Sequence, residues 1–123
     1  MEGPFTHSGN RQIPVGIDIH YFDGSAFAAT FFGSALTGES VSILFNRVTI
    51  TGTAITFADA DRPSQYLDIL RGILPETVIN ATMRLECERF AVGASCTGPL
   101  DFSTLNRRIQ GTVAVRIAVL ERL

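Results

Sequence analysis

Alternation of apolar and polar side chains with a period of two dominates this chain. Between Gln12 and Tyr21, every odd position carries a large apolar or aromatic side chain, and the even positions are mostly polar or small. Because successive side chains of a strand point to opposite faces, this segment predicts a strand with one buried face. Pro14 has no N–H to donate to a ladder, so we expect the beginning of this strand at a sheet edge.

A β-hairpin is predicted around Asp23-Gly24, which separates the first strand from a second apolar run over 25–32. An Asp-Gly pair between two apolar runs is a strong hairpin signal. A two-residue loop and a three-residue loop that includes Phe22 are both possible. The three-residue loop would bury Phe27 and Phe31 together, and each ring contributes roughly 2 kcal/mol. We therefore expect the three-residue turn with a bulge at its glycine.

The next apolar run changes its parity between Phe45 and Val48. A tight turn at Asn46-Arg47 would restore all apolar side chains to one face, and so would a bulge within one long strand. The pattern does not separate these two alternatives. Further strands are predicted at Thr53–Phe57, Thr77–Cys87 and Arg108–Glu121.

One amphipathic helix is predicted over residues 62–74. Asp61 is a suitable N-cap, Pro63 fits the first turn, and Pro75 ends the segment. Apolar residues recur within it at three- and four-residue spacings, which is typical of a helix that packs on a sheet. The segment Gly93–Asn106 (GASCTGPLDFSTLN) is rich in glycine, proline and hydroxyl residues, and it predicts a long loop.

Length and composition indicate one β-rich domain at 12–123, preceded by a flexible N-terminal arm at 1–11. The fold class expected is an antiparallel β-barrel or sandwich of six to seven strands with the one helix. Charged residues are 18% of the chain and the net charge is −2, which disfavours nucleic-acid binding. No apolar run is long enough for a membrane span. Two cysteines do not make a disulfide framework, so we expect a reduced protein of the cytoplasm, or a virion component.

Candidate chemistry is sparse. No nucleophile elbow or phosphate-binding glycine motif occurs, so an enzyme is the least expected function, and neither a metal nor a cofactor is predicted. Asp18 and His20 share the polar side of the first hairpin. Together with Ser95 and Asp101 of the predicted loop, they are the candidate residues for binding a small ligand at the mouth of a barrel.

A short motif at the start of the chain suggests one family. Arg11-x-x-Pro14-Val15, followed by Phe22-Asp23-Gly24, resembles the opening of a PilZ domain, a small β-barrel that binds cyclic di-GMP. That family's arginine cluster and its D/N-x-S-x-x-G motif are missing here. The resemblance covers about the first quarter of the chain and assigns no family.

The predicted strands suggest a function through self-association. A 14-residue strand would extend roughly 46 Å, and long ribbons with few charges leave apolar surface and sheet edges that a monomer must protect. We therefore expect a non-enzymatic assembly module that forms homo-oligomers, of the kind found in phage tails, tubes and virion decorations. The candidate interface residues are Phe5, Arg84, Glu86, Arg108 and Arg116.

Overall fold

A computed structural model describes residues 1–7, 11–34, 40–60, 65–67, 76–77, 80–103 and 108–118. The described residues form β-strands and turns, and no helix occurs among them. The strands are β1 (Glu2–His7), β2 (Arg11–Phe22), β3 (Ser25–Ser34), β4 (Ser40–Thr51), β5 (Ala54–Ala60), β6 (Gln65–Leu67), β7 (Glu76–Thr77), β8 (Asn80–Cys87), β9 (Ser95–Ser103) and β10 (Arg108–Arg116).

Eight of these strands close into an antiparallel barrel. Going around the barrel, the order is β3, β2, β1, β10, β9, β8, β5 and β4, and β4 pairs back onto β3. The first and last strands of the chain, β1 and β10, are therefore neighbours. The predicted mainly β, antiparallel class is confirmed. The barrel has eight strands instead of six or seven, and its closure gives each of these eight strands a neighbour on both sides.

The two remaining strands extend one side of the barrel. β6 pairs with the first three residues of β4, Ser40–Ser42, and β7 pairs with β6. The helix predicted over 62–74 is wrong for Gln65–Leu67, and the rest of that segment lies outside the described residues. The amphipathic spacing expresses only a local preference for a helix. The backbone N–H and C=O groups of Ser40–Ser42 lie beyond the end of the β4–β5 pairing, and β6 satisfies them by pairing as a strand.

The N-terminal segment is a barrel strand rather than the expected flexible arm. Residues of β1 pair with β2 on one side and with β10 on the other. Phe5 is only 1% exposed and packs edge-to-face against Phe31 in the barrel interior. Because Phe5 is enclosed, it is not available as the interface residue that the sequence analysis proposed.

The hairpin between β2 and β3 has a two-residue turn, so the predicted three-residue turn is wrong. Asp23 and Gly24 both have positive φ, as a type I′ turn requires, and Phe22 pairs with Ser25. The register then shifts by one residue beside His20, which leaves Phe27 as the extra residue of a bulge. The bulge brings Phe31 into the core as expected, but Phe27 remains about half exposed.

β4 is one continuous strand without a turn at Asn46-Arg47. Both of these residues are exposed, whereas Phe45 and Val48 on either side are buried. The pairing of β4 with β5 keeps a constant register from Phe45 to Thr51, across the point where the buried positions change parity. The pairing of β4 with β3 ends at Phe45. Of the two alternatives left open by the sequence, the structure therefore has the single long strand.

The predicted loop Gly93–Asn106 is largely strand β9, and only residues 104–106 of it lie outside the described part of the chain. Gly98 is required by a close approach, because a Cβ atom there would lie 1.7 Å from the carbonyl oxygen of Arg84. Pro99 has no N–H for a ladder, and the pairing between β8 and β9 is interrupted at Gly98-Pro99, with the same register on both sides. Gly-Pro thus lies within a strand of the barrel wall rather than in a loop.

Large side chains fill the interior of the barrel. Eight strands enclose a space that side chains can occupy completely. All the fully buried side chains of the largest size are apolar, and five of them are phenylalanines: Phe5, Phe31, Phe45, Phe57 and Phe102. The middle of the barrel is therefore packed, and the surfaces available for recognition are its ends and its outer wall.

Candidate interaction surface at one end of the barrel

One end of the barrel gathers most of the exposed apolar side chains. The turn between β2 and β3, the turn between β4 and β5, and the connection from β8 to β9 all lie at this end. Each of them presents large apolar groups to solvent, and we call this set the crown. Its members and their exposed fractions are Phe22 (75%), Phe27 (52%), Ile50 (43%), Phe90 (39%) and Val92 (62%).

The connection between β8 and β9 is held firmly at the crown end. The N–H of Gly93 donates to the carbonyl of Ile117 (2.8 Å), and the N–H of Ile117 donates to the carbonyl of Ala94 (3.0 Å). Ala94 is completely buried, and Gly93 has a φ of 89° that an L side chain rarely adopts. These bonds tie the segment to the end of β10, so Phe90 is presented on an ordered support.

A disulfide bond closes the same connection. Cys87 and Cys96 face each other across β8 and β9, and their sulfur atoms are bonded, with a Cα–Cα distance of 3.9 Å. Both cysteines are buried. The sequence analysis expected reduced cysteines, which is wrong for this pair. Cys87 continues the buried alternation of β8, but the interpretation of 93–106 as a loop concealed that Cys96 lies directly opposite.

The carboxylate of Glu88 stabilises the beginning of the connection. Its Oε1 accepts a hydrogen bond from the N–H of Ser95 (2.9 Å), and the N–H of Glu88 donates to the carbonyl of Ser95 (3.0 Å). The hydrogen bond from Ser95 lowers the pKa of Glu88, and the positive charges of Arg89 and Arg116 act in the same direction. Glu88 therefore stays ionised and holds both sides of this turn together.

An open cavity of about 1400 Å³ lies within the crown. Three buried isoleucines, Ile17, Ile55 and Ile117, contribute to its lining. Phe27 and Phe90 of the crown line it as well, whereas the two most exposed crown residues, Phe22 and Val92, do not. The barrel thus has a recess at this end that is separate from the outermost apolar tips.

The structure does not bring the four predicted ligand-binding residues together. Asp18 and His20 line the cavity at the crown end, and the Nε2 atom of His20 lies 2.9 Å from the Thr30 hydroxyl. Ser95 is at the same end, but β1 and β10 separate its strand from β2. Asp101 lies further along β9, toward the opposite end. The first two residues therefore share a surface, and the last two belong elsewhere.

The charged residues predicted as interface contacts are engaged within the chain. Arg84 forms an ion pair with Glu86 on the same strand, at 2.9 Å. Arg108 donates two hydrogen bonds to Asp101 across β9 and β10, at 3.0 and 2.5 Å, and these bonds lower the pKa of the Asp101 carboxyl. β8 and β10 are not neighbours, because β9 lies between them. Arg116 faces Glu2 in the register of β10 and β1.

The described residues contain no helix long and apolar enough to cross a membrane. Within the same ranges, no group of three or more histidine, cysteine or acidic side chains is arranged to hold a metal ion. Comparison of the chain with protein-family models, with curated proteins and with solved structures found no match.

Proposed function

We propose that this protein is a structural module that self-associates through the crown, with two barrels joined end to end. The observation that carries the proposal is the concentration of five exposed large apolar side chains at one end of a closed barrel. Contiguous exposed apolar patches on soluble proteins are typical of interaction sites. The long sheet edges expected from the sequence do not carry the proposal, because the eight barrel strands close on each other and the outer strand β7 has only two residues; the apolar end supports it instead.

A second copy of the chain fits this surface better than a charged partner. The apolar tips are accompanied by charges of both signs, including the exposed carboxylate of Asp23 in one turn and the exposed guanidinium of Arg89 in another. In a two-fold interface each surface meets an identical one, so Asp23 of one copy can face Arg89 of the other. A stable interface buries about 800 Å² on each partner, which requires most of the barrel end.

The test is the oligomeric state of the crown variant Phe22→Ser/Val92→Ser. Sedimentation velocity over a wide range of concentrations should show a dimer for the wild type and a monomer for this variant. Both side chains are more than half exposed and lie outside the packed core, so the variant should keep the wild-type circular dichroism spectrum and thermal midpoint.

Phe32→Ser is the matched control, since Phe32 is an exposed phenylalanine of the outer wall that is 43% accessible. The ring lies over Gly16 and also lines one side of the cavity, but Phe32 belongs to none of the three crown turns. Self-association of this control should equal that of the wild type. A wild type that remains monomeric at high concentration would contradict the proposal, and so would equal loss of association in the crown variant and the control.

A further inference from the structure

The cavity within the crown has an apolar lining that a small molecule could cover. The apolar side chains of its lining that are partly or well exposed include Ile19, Phe27, Ile50 and Phe90, and Tyr21 lines it as well. Ligand sites are typically concave and mostly apolar with a few polar groups, and the mouths of β-barrels are a common location. The volume of about 1400 Å³ is ample for a ligand with a long apolar body.

The charges along the lining select the sign of the ligand. Two carboxylates, those of Glu2 and Asp18, line the cavity, and no arginine does so among the described residues. The amino group of Met1 also lies there, where it donates a hydrogen bond to the carbonyl of Ile17 at 2.9 Å. The aromatic rings add faces that attract alkylammonium groups. Because the two carboxylates outnumber the one ammonium group of Met1, the lining disfavours a carboxylate or phosphate ligand and favours a cation.

We propose that the cavity binds an amphipathic molecule with an apolar chain and an ammonium head group. The apolar chain lies against exposed apolar side chains of the lining, such as Phe27 and Ile50, and the head group lies near Asp18 and the aromatic rings. Three crown residues, Phe27, Ile50 and Phe90, also line the cavity, but Phe22 and Val92, which the crown variant replaces, do not, so the two proposals can be tested separately. Of the residues predicted from sequence to bind a ligand, the proposal retains Asp18 and assigns it the role of charge recognition.

The test uses N-phenyl-1-naphthylamine, a neutral probe that fluoresces in apolar sites, with two competitors of equal chain length. Decyltrimethylammonium should displace the probe at about tenfold lower concentration than decanoate, as expected when partly exposed carboxylates attract one head group and repel the other. The measurement is made below the micelle concentration of both competitors.

Two variants locate the binding site. Asp18→Asn should lower the preference for the ammonium competitor to about threefold. Glu86→Gln removes an exposed carboxylate from β8 that does not line the cavity, so the preference of this control should equal that of the wild type. Ile19→Trp fills part of the lining and should reduce probe binding, with a circular dichroism spectrum that checks its fold.

The outcomes separate this proposal from self-association. The crown variant Phe22→Ser/Val92→Ser should retain the probe signal even as a monomer. Loss of the probe signal in that variant would place the probe on the crown tips and overturn the proposal. It would also be overturned by the absence of probe binding to the wild type, by decanoate competing as well as the ammonium compound, or by an equal effect of Asp18→Asn and Glu86→Gln.

Discussion

Reduction of the disulfide between Cys87 and Cys96 should destabilise the protein by an amount that its loop length sets. The two cysteines are separated by nine positions. In the chain-entropy treatment, closing a loop of about nine residues removes roughly 9 cal/mol/K from the unfolded chain, or about 2.6 kcal/mol at 25 °C. Both side chains are buried, so the reduced thiols can keep their packing in the folded protein. The main effect of reduction is therefore on the unfolded state.

Urea unfolding followed by far-ultraviolet circular dichroism measures this difference. The protein is unfolded, reduced and refolded in the presence of a phosphine reductant, and its midpoint is compared with that of the oxidised protein. With a slope of about 1.5 kcal/mol/M for a domain of this size, the midpoint should fall by about 1.7 M. The control Cys87→Ala/Cys96→Ala has no thiols, so the reductant should leave its midpoint unchanged.

Two results would refute the reasoning. One is an equal midpoint for the oxidised and reduced protein after mass spectrometry has shown that the bond is broken. The other is the detection of two free thiols per chain in the protein purified in air.

Reduction should also weaken self-association, because the disulfide closes the connection that carries Phe90 and Val92.

Three further predictions concern the barrel wall and the crown. Gly98→Ala should lower the free energy of unfolding by about 3 kcal/mol, because its Cβ atom would meet a backbone carbonyl. Gly52 has open space around it and only a positive φ, so Gly52→Ala should lower the free energy of unfolding by about 1 kcal/mol in the same urea titration. The pKa of Asp101 is lowered mainly by Arg108, so Asp101→Asn should be less stable than the wild type above pH 4, and this difference should disappear as the pH falls through the folded pKa of Asp101 in acid titrations. If Gly98→Ala and Asp101→Asn both kept the wild-type stability, the contacts assigned to Gly98 and Asp101 would be wrong. Arg89→Glu should raise the dimer dissociation constant measured by sedimentation, and an unchanged constant would exclude the pairing with Asp23.

The sequence allowed the strands with regular alternation to be predicted. The alternation in β2 and β8 identified their buried faces correctly, because one face of each strand packs in the barrel interior and the other face is mostly exposed to solvent. Asp23-Gly24 located the first hairpin. Its loop length was predicted wrongly. The three-residue loop was expected because it would bury Phe31, but a two-residue loop buries Phe31 as well when Phe27 forms a bulge in β3. Alternation indicates which side chains are buried, but it does not indicate where an extra residue is accommodated.

Other features depend on contacts that local patterns do not encode. Gly98-Pro99 has the composition of a loop, yet the glycine allows close approach of β8 and the proline interrupts only one ladder. β1 is short and contains Gly3-Pro4, and its pairing partner β10 comes from the other end of the chain. The crown arises from three separate turns, so its five members do not form one recognisable motif in the sequence.

Intermolecular distances between spin labels test the end-to-end assembly most directly. The native cysteines are bonded to each other, so single cysteines introduced at Thr51 in the crown end, or at Gln12 near the opposite end, can be labelled selectively. The ten residue-to-residue steps from Gln12 to Phe22 rise about 25 Å along a barrel axis tilted by about 40° from the strands. Pulsed electron paramagnetic resonance should therefore give a short distance between Thr51 labels and about 50 Å or more between Gln12 labels. Equal distances at the two positions, or a shorter one between Gln12 labels, would contradict assembly through the crown.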